Sequence, residues 1–124
     1  MKPVLIISVL LLCSVPTMGQ DVPLNLTSGL RVYNEGAAWS PDGSQIAFMS
    51  REESDAAIYV VQADGSELTQ LTDGSGYDLN PAWSPDGTRI AFSSRRAGDE
   101  SRIYTMAPDG SQIQPLTASL EGGR

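Results

Sequence analysis

Four Asp-Gly pairs, at 42–43, 64–65, 86–87 and 109–110, are the first residues whose types suit chemistry. Carboxylates beside glycine can hold calcium when their spacing is right, but these pairs lack the ligand spacing of an EF-hand loop. Each lies between two short apolar runs, where Asp satisfies local backbone donors and Gly accepts a left-handed backbone, so turn formation accounts for them. Asp73-Gly74-Ser75-Gly76-Tyr77-Asp78 is the one stretch with clustered oxygen ligands. The corresponding upstream stretch, 28–36, keeps Tyr33 and Asn34-Glu35 but not the Asp pair, which argues against a repeated metal site. Neither metal nor cofactor is expected, and 73–78 reads as a connecting link. Arg95-Arg96 with Asp99 and Glu100 has no counterpart in kind at Arg51-Glu52-Glu53. A loop that diverges between otherwise equal units is where a partner-binding surface can arise, so Arg95, Arg96, Asp99 and Glu100 are the candidate contact residues, weighed against a simple solvated loop. Trp39 and Trp83 could stack on a sugar, yet their equivalent placement, shared by Phe48 and Phe92, is that of structural core residues.

What lies ahead of these residues sets the compartment. Met1-Lys2 gives a short positive start, Val4 to Val15 is an apolar run of 12 residues, and Pro16 ends it. Thr17-Met18-Gly19 then offers small residues at the −3 and −1 positions of a cleavage site, the layout of a secretory signal peptide. The run is shorter than the roughly 20 residues of a spanning helix. Cys13 offers a weaker, lipoprotein alternative, because Leu10-Leu11-Leu12 lacks the small residue such a site wants. Removing the first 19 of 124 residues leaves 105, with no cysteine and no histidine. That composition removes the Cys nucleophile, the Ser-His-Asp triad and most zinc sites. Loss of Lys2 from eight basic residues leaves 7 against 15 acidic, a net charge of −8. Such a surface repels nucleic acid and anionic lipid, so neither nucleic acid binding nor membrane insertion after cleavage is expected.

The elements that must position these residues are written as a repeat. Ala38-Trp39-Ser40-Pro41-Asp42-Gly43-Ser44-Gln45-Ile46-Ala47-Phe48 returns 44 residues later as Ala82-Trp83-Ser84-Pro85-Asp86-Gly87-Thr88-Arg89-Ile90-Ala91-Phe92. Ile58-Tyr59, Asp64-Gly65-Ser66 and Leu71-Thr72 return 45 residues on, and Leu26-Thr27 precedes Leu71-Thr72 by the same interval. Each unit reads as four short strands. In the first unit these are 37–40, Gln45–Ser50, Ile58–Gln62 and Glu67–Thr72, with a polar loop over Arg51–Ala57. Leu24–Thr27 reads as an additional fourth strand, latch-like, with no blade of its own. Ile58 and Val60 alternate with Tyr59 and Val61, and Ile46 and Phe48 with Ala47 and Met49, so both faces of each sheet are apolar. A sandwich usually keeps one polar face; sheets covered on both faces, four strands per period of about 45, are blades of a propeller. The expected organisation is a signal peptide over 1–19, an N-terminal strand and linker over 20–36, blades over 37–72 and 82–117, a linker over 73–81 and a tail over 118–124.

The pattern Asn80-Pro81-Ala82-Trp83-Ser84-Pro85-Asp86-Gly87-x-x-Ile90-Ala91-Phe92-x-Ser94, followed by Ile103-Tyr104, Asp109-Gly110 and Leu116-Thr117, resembles the WD-like repeat of TolB-type β-propellers. The motif specifies the repeat and no single activity. The resemblance implies an all-β, incomplete propeller, with two four-stranded antiparallel blades and structural motif residues Trp39, Ser40, Pro41, Asp42, Gly43, Trp83, Ser84, Pro85, Asp86 and Gly87. It implies a non-catalytic, periplasmic or extracellular bacterial scaffold that binds protein partners. TolB-type proteins carry an α/β domain ahead of the propeller that this sequence does not provide, and a closed propeller needs about four to eight blades. A fragment of a longer propeller is therefore expected, with self-association through exposed blade faces as the competing outcome. The same repeat occurs in propellers of prolyl-oligopeptidase-type serine peptidases. The alternative function is thus the N-terminal part of such a domain, with its catalytic domain absent here. A glycan-binding role finds little support without His or paired carboxylates.

Overall fold

The computed structural model describes residues 24–28, 30 and 33–116. These form two four-stranded antiparallel sheets and no helix. The first holds β1 (Tyr33–Trp39), β2 (Gln45–Glu52), β3 (Asp55–Gln62) and β4 (Thr69–Gln70) in sequence order. The second holds β5 (Leu79–Trp83), β6 (Ile90–Ser94), β7 (Arg102–Met106) and β8 (Gln114–Pro115), again in order. The signal-peptide reading and the 118–124 tail fall outside the described residues.

Meander order follows from the turns. At each Ser-Pro-Asp-Gly the Asp oxygen gathers the loop: Asp42 Oδ1 accepts from Ser40 Oγ at 2.7 Å, Ser44 Oγ at 2.8 Å and the Ser44 amide at 3.0 Å. Asp86 repeats this with Ser84 Oγ and Thr88 Oγ1, both at 2.7 Å, and the Thr88 amide at 3.0 Å. Ser40 Oγ and Ser84 Oγ in turn accept from the amides of Gln45 and Arg89. The loop is thus stitched by residues within five positions of each other. A bulge between Glu35 and Ala38 in β1 recurs between Leu79 and Ala82 in β5, and its left-handed residue is Gly36 in one sheet and Asn80 in the other.

Strand limits differ from the sequence expectation where cross-strand pairing decides them. The loop expected over Arg51–Ala57 is strand on both sides of a two-residue turn, because β2 and β3 pair without a break from Gln45↔Gln62 to Glu52↔Asp55. The first strands begin at Tyr33 and Leu79, so part of each expected linker is strand. The fourth strands shorten to two residues at the solvent edge. Leu24–Thr27 is not a strand: Leu26–Ser28 turn, and Asn25 Oδ1 accepts from the amide and Oγ1 of Thr27, both at 3.0 Å. A strand needs a neighbour to take its backbone bonds, and no described strand lies beside this segment. Its Leu side chains instead approach Gly65, and Leu26 shares a groove with Ile46, Phe48 and Val61.

The sheets stack face to face. Ala47, Met49, Ala56, Ile58 and Val60 of the first form one core with Ile90, Phe92, Tyr104 and Met106 of the second, flanked by Leu71, Tyr77, Leu79 and Trp83. Opposite faces of equivalent sheets are used, so the stacking is head-to-tail. Gly110 packs against Leu71 so tightly that a Cβ there would lie 2.6 Å from the Leu71 carbonyl oxygen.

Candidate functional site

Antiparallel order divides the molecule into two rims. One carries the Asp-Gly turns after β1, β3, β5 and β7. The other carries the β2–β3 turn, the link 71–78 and the loop 95–101. On the first rim the carboxylates are occupied by their own loops. The three donors on each hold the carboxyls of Asp42 and Asp86 down to about 2, led by the Ser40 and Ser84 hydroxyls. The Ser66 and Ser111 hydroxyls lower Asp64 and Asp109 likewise, and on the second rim the Ser75 hydroxyl lowers Asp73. Among the described residues no group of three or more acidic, His or Cys side chains converges on a metal position.

The sequence-selected loop is split by the fold. Arg96 turns inward: its Nη2 donates to Oδ1 and Oδ2 of Asp78 at 2.9 and 3.0 Å, and its Nε to Ser94 Oγ at 2.9 Å. Its guanidinium lies 5.1 Å from the Phe92 ring centre and 5.2 Å from that of Tyr104. Asp78 is 0% exposed and the Arg96 side chain 24%. Gly76 completes the slot, since a Cβ there would run into Ser94 Oγ and within 2.8 Å of Asp78 Oδ1. Arg95 stays exposed, with its guanidinium 5.9 Å from the Tyr77 ring, and Asp99 and Glu100 face solvent. The tryptophans also part: Trp83 Nε1 donates to the Ala38 carbonyl across the sheets at 3.2 Å, while Trp39 is 60% exposed.

Beside the first sheet, on the second rim, lies a cleft of about 640 Å³ lined by Ser50, Glu52, Glu53, Asp55, Tyr59 and Asp73, with Leu30 on one wall. The sequence reading passed over it. The signal was present in the repeat, because Glu52 stands where the second unit has Arg96.

Two twisted four-stranded meanders stacked head-to-tail on a repeat of about 45 residues define a β-propeller, here through two of its blades. The TolB β-propeller domain family matches residues 22–123. The chain belongs to that family. Among solved structures it is similar to a TolB-type protein from Agrobacterium tumefaciens, at 34% identity over 76% of this chain and 33% of that one, TM-score 0.66. It is similar to TolB from Acinetobacter baumannii at 28% identity over 70% of this chain and 22% of that one, TM-score 0.60. The chain thus spans a third or less of those proteins. An acylaminoacyl peptidase shares the fold, at 18% identity over 67% of this chain and 18% of that one, TM-score 0.52. No curated protein matches the chain.

Proposed function

We propose that this chain is a non-catalytic, exported interaction module, a piece of a longer propeller that holds protein partners on its second rim. The division of labour between the rims supports this most: the repeated motif side chains are spent on turns and blade packing, while charged residues that differ between blades gather at the other end. Likeness to TolB proteins over a third or less of their length supports both the scaffold role and the larger ring. The apolar run Val4–Val15 and the small residues before Gln20 support export to the periplasm or cell exterior. The peptidase alternative takes from its structural neighbour the fold alone.

Export is tested by fusing residues 1–30 to alkaline phosphatase, with activity expected outside the cytoplasm. The scaffold is tested by placing a photo-crosslinking residue at Glu53 on the second rim or at Asp64 on the first. Partner adducts are expected from Glu53 only; equal yields from both positions, or peptide or glycan turnover that survives re-purification, would overturn the reading.

A further inference from the structure

Three specific contacts join the two blades. Trp83 Nε1 donates to the Ala38 carbonyl at 3.2 Å, Arg51 Nη1 donates to Tyr77 Oη at 3.0 Å, and Gly110 packs on the backbone of Leu71. In each, one residue belongs to the first blade and the other to the second blade or to the link that leads into it.

The repeat supplies both halves of every contact a second time, at the two ends of the stack. Tyr33, Trp39 and Gly65 hold in the first blade the positions of Tyr77, Trp83 and Gly110. Ala82, Arg95 and Leu116 hold in the second blade the positions of Ala38, Arg51 and Leu71. Tyr33, Trp39 and Leu116 are 68, 60 and 62% exposed, and Gly65, Ala82 and Arg95 are exposed as well. The seat at Gly65 is held by a placeholder: Leu26 Cδ2 lies 3.2 Å from where a Cβ would stand, and Leu26, Leu71 and Leu116 recur at 45-residue steps. Charge agrees in sign, since the first-blade end of the second rim carries Glu52, Glu53 and Asp55 and the opposite end brings Arg95. A partner of unrelated structure would have to match three spacings at once. A second copy matches them because the stacking inside the chain is already head-to-tail.

We propose that the two ends of the stack are complementary docking surfaces for a second copy of this chain. The incoming copy sets its Trp39 on the Ala82 carbonyl, its Tyr33 hydroxyl on Arg95, and its Gly65 on Leu116, which displaces Leu26. Ser93 and Thr105 stand on the outer face where Met49 and Val60 stand on the packed one, so this joint buries less apolar surface than the joint within the chain and forms reversibly. It is a heterologous contact, passed on from copy to copy. The proposal rests on the reading of the chain as an open piece of a propeller, whose neighbouring blades would otherwise take the same contacts.

The test uses the exported chain, followed by sedimentation velocity over a wide concentration range. Reversible association is expected. Tyr33→Phe and Arg95→Gln should each weaken it about 2- to 10-fold, and the two together no more than either alone, because they remove one shared bond. In Trp83→Phe chain, Trp39 emission should move to the blue and lose acrylamide quenching as concentration rises. Orientation is read from the lack of cysteine after residue 19. Chains carrying Tyr33→Cys and Arg95→Cys, mixed with a short bis-maleimide, should join to each other and not to themselves. Three results would overturn the docking: a monomer at every concentration, which would leave these faces to the blades of the longer ring; association indifferent to Tyr33→Phe and Arg95→Gln; or adducts between identical cysteine sites. None of them touches the phosphatase fusion or the rim-specific partner crosslinks, so the docking and the scaffold reading fail separately.

Discussion

Asp42 and Asp86 show how much a single carboxylate does in this chain. Each takes three short hydrogen bonds from its own turn and titrates near 2 in the folded state, below the ordinary 3.8. A folded value below the unfolded one means the stabilising contribution is complete above about pH 4 and disappears as pH falls from there towards 2. Replacing both by Asn should therefore lower the thermal midpoint by a constant amount between pH 5 and 7. The gap to the parent chain should close between pH 4 and 2, as circular dichroism melts would record. Arg95 and Arg96 make the complementary case. Arg96→Ala strands the buried Asp78 carboxylate and should cost on the order of 3 kcal/mol. Arg95→Ala, removing an exposed contact, should change stability by less than about 1 kcal/mol in urea titrations.

At the scale of the element, the blade face decides what is essential. Phe92 lies in the core between the sheets, and Ile103 on the outer face of the second sheet is exposed. Phe92→Ala should lose about 3–5 kcal/mol, a large share of the stability of a domain this size, while Ile103→Ala should lose less than about 1 kcal/mol. Turn glycines divide in the same way. Gly43 and Gly110 both have positive φ, 73° and 86°, so alanine strains either one. Only Gly110 also faces the Leu71 carbonyl of the neighbouring blade. Gly110→Ala should lower the urea midpoint clearly more than Gly43→Ala, because it opens the sheet-to-sheet contact as well as straining a turn.

The whole molecule is a stack with two different ends. Trp83 bonds back to Ala38 and is partly covered, whereas its repeat equivalent Trp39 meets no other blade among the described residues and is exposed. With Phe substituted at position 83, the remaining Trp39 fluorescence should be red-shifted and readily quenched by acrylamide. With Phe at 39, Trp83 should be blue-shifted and more protected. Within the longer propeller proposed above, Trp39 should become as protected as Trp83. Head-to-tail stacking also explains why the core was readable: alternation at Ile58–Val61 assigns each side chain to a face, and a sheet with two apolar faces must be stacked.

The turns, the 44–45-residue period, the all-β class and the faces of Ile46–Met49 and Ile58–Val61 were legible in the sequence, because they depend on partners within a few positions or on a period of two. The inward fold of Arg96 onto Asp78, 18 residues away, was not, and nor was the turn at Leu26–Ser28. Those were decided by which surface came to lie beside each residue: a guanidinium goes inward only where a buried carboxylate and two rings await it. A segment of good strand composition becomes a strand only beside an edge with open backbone groups.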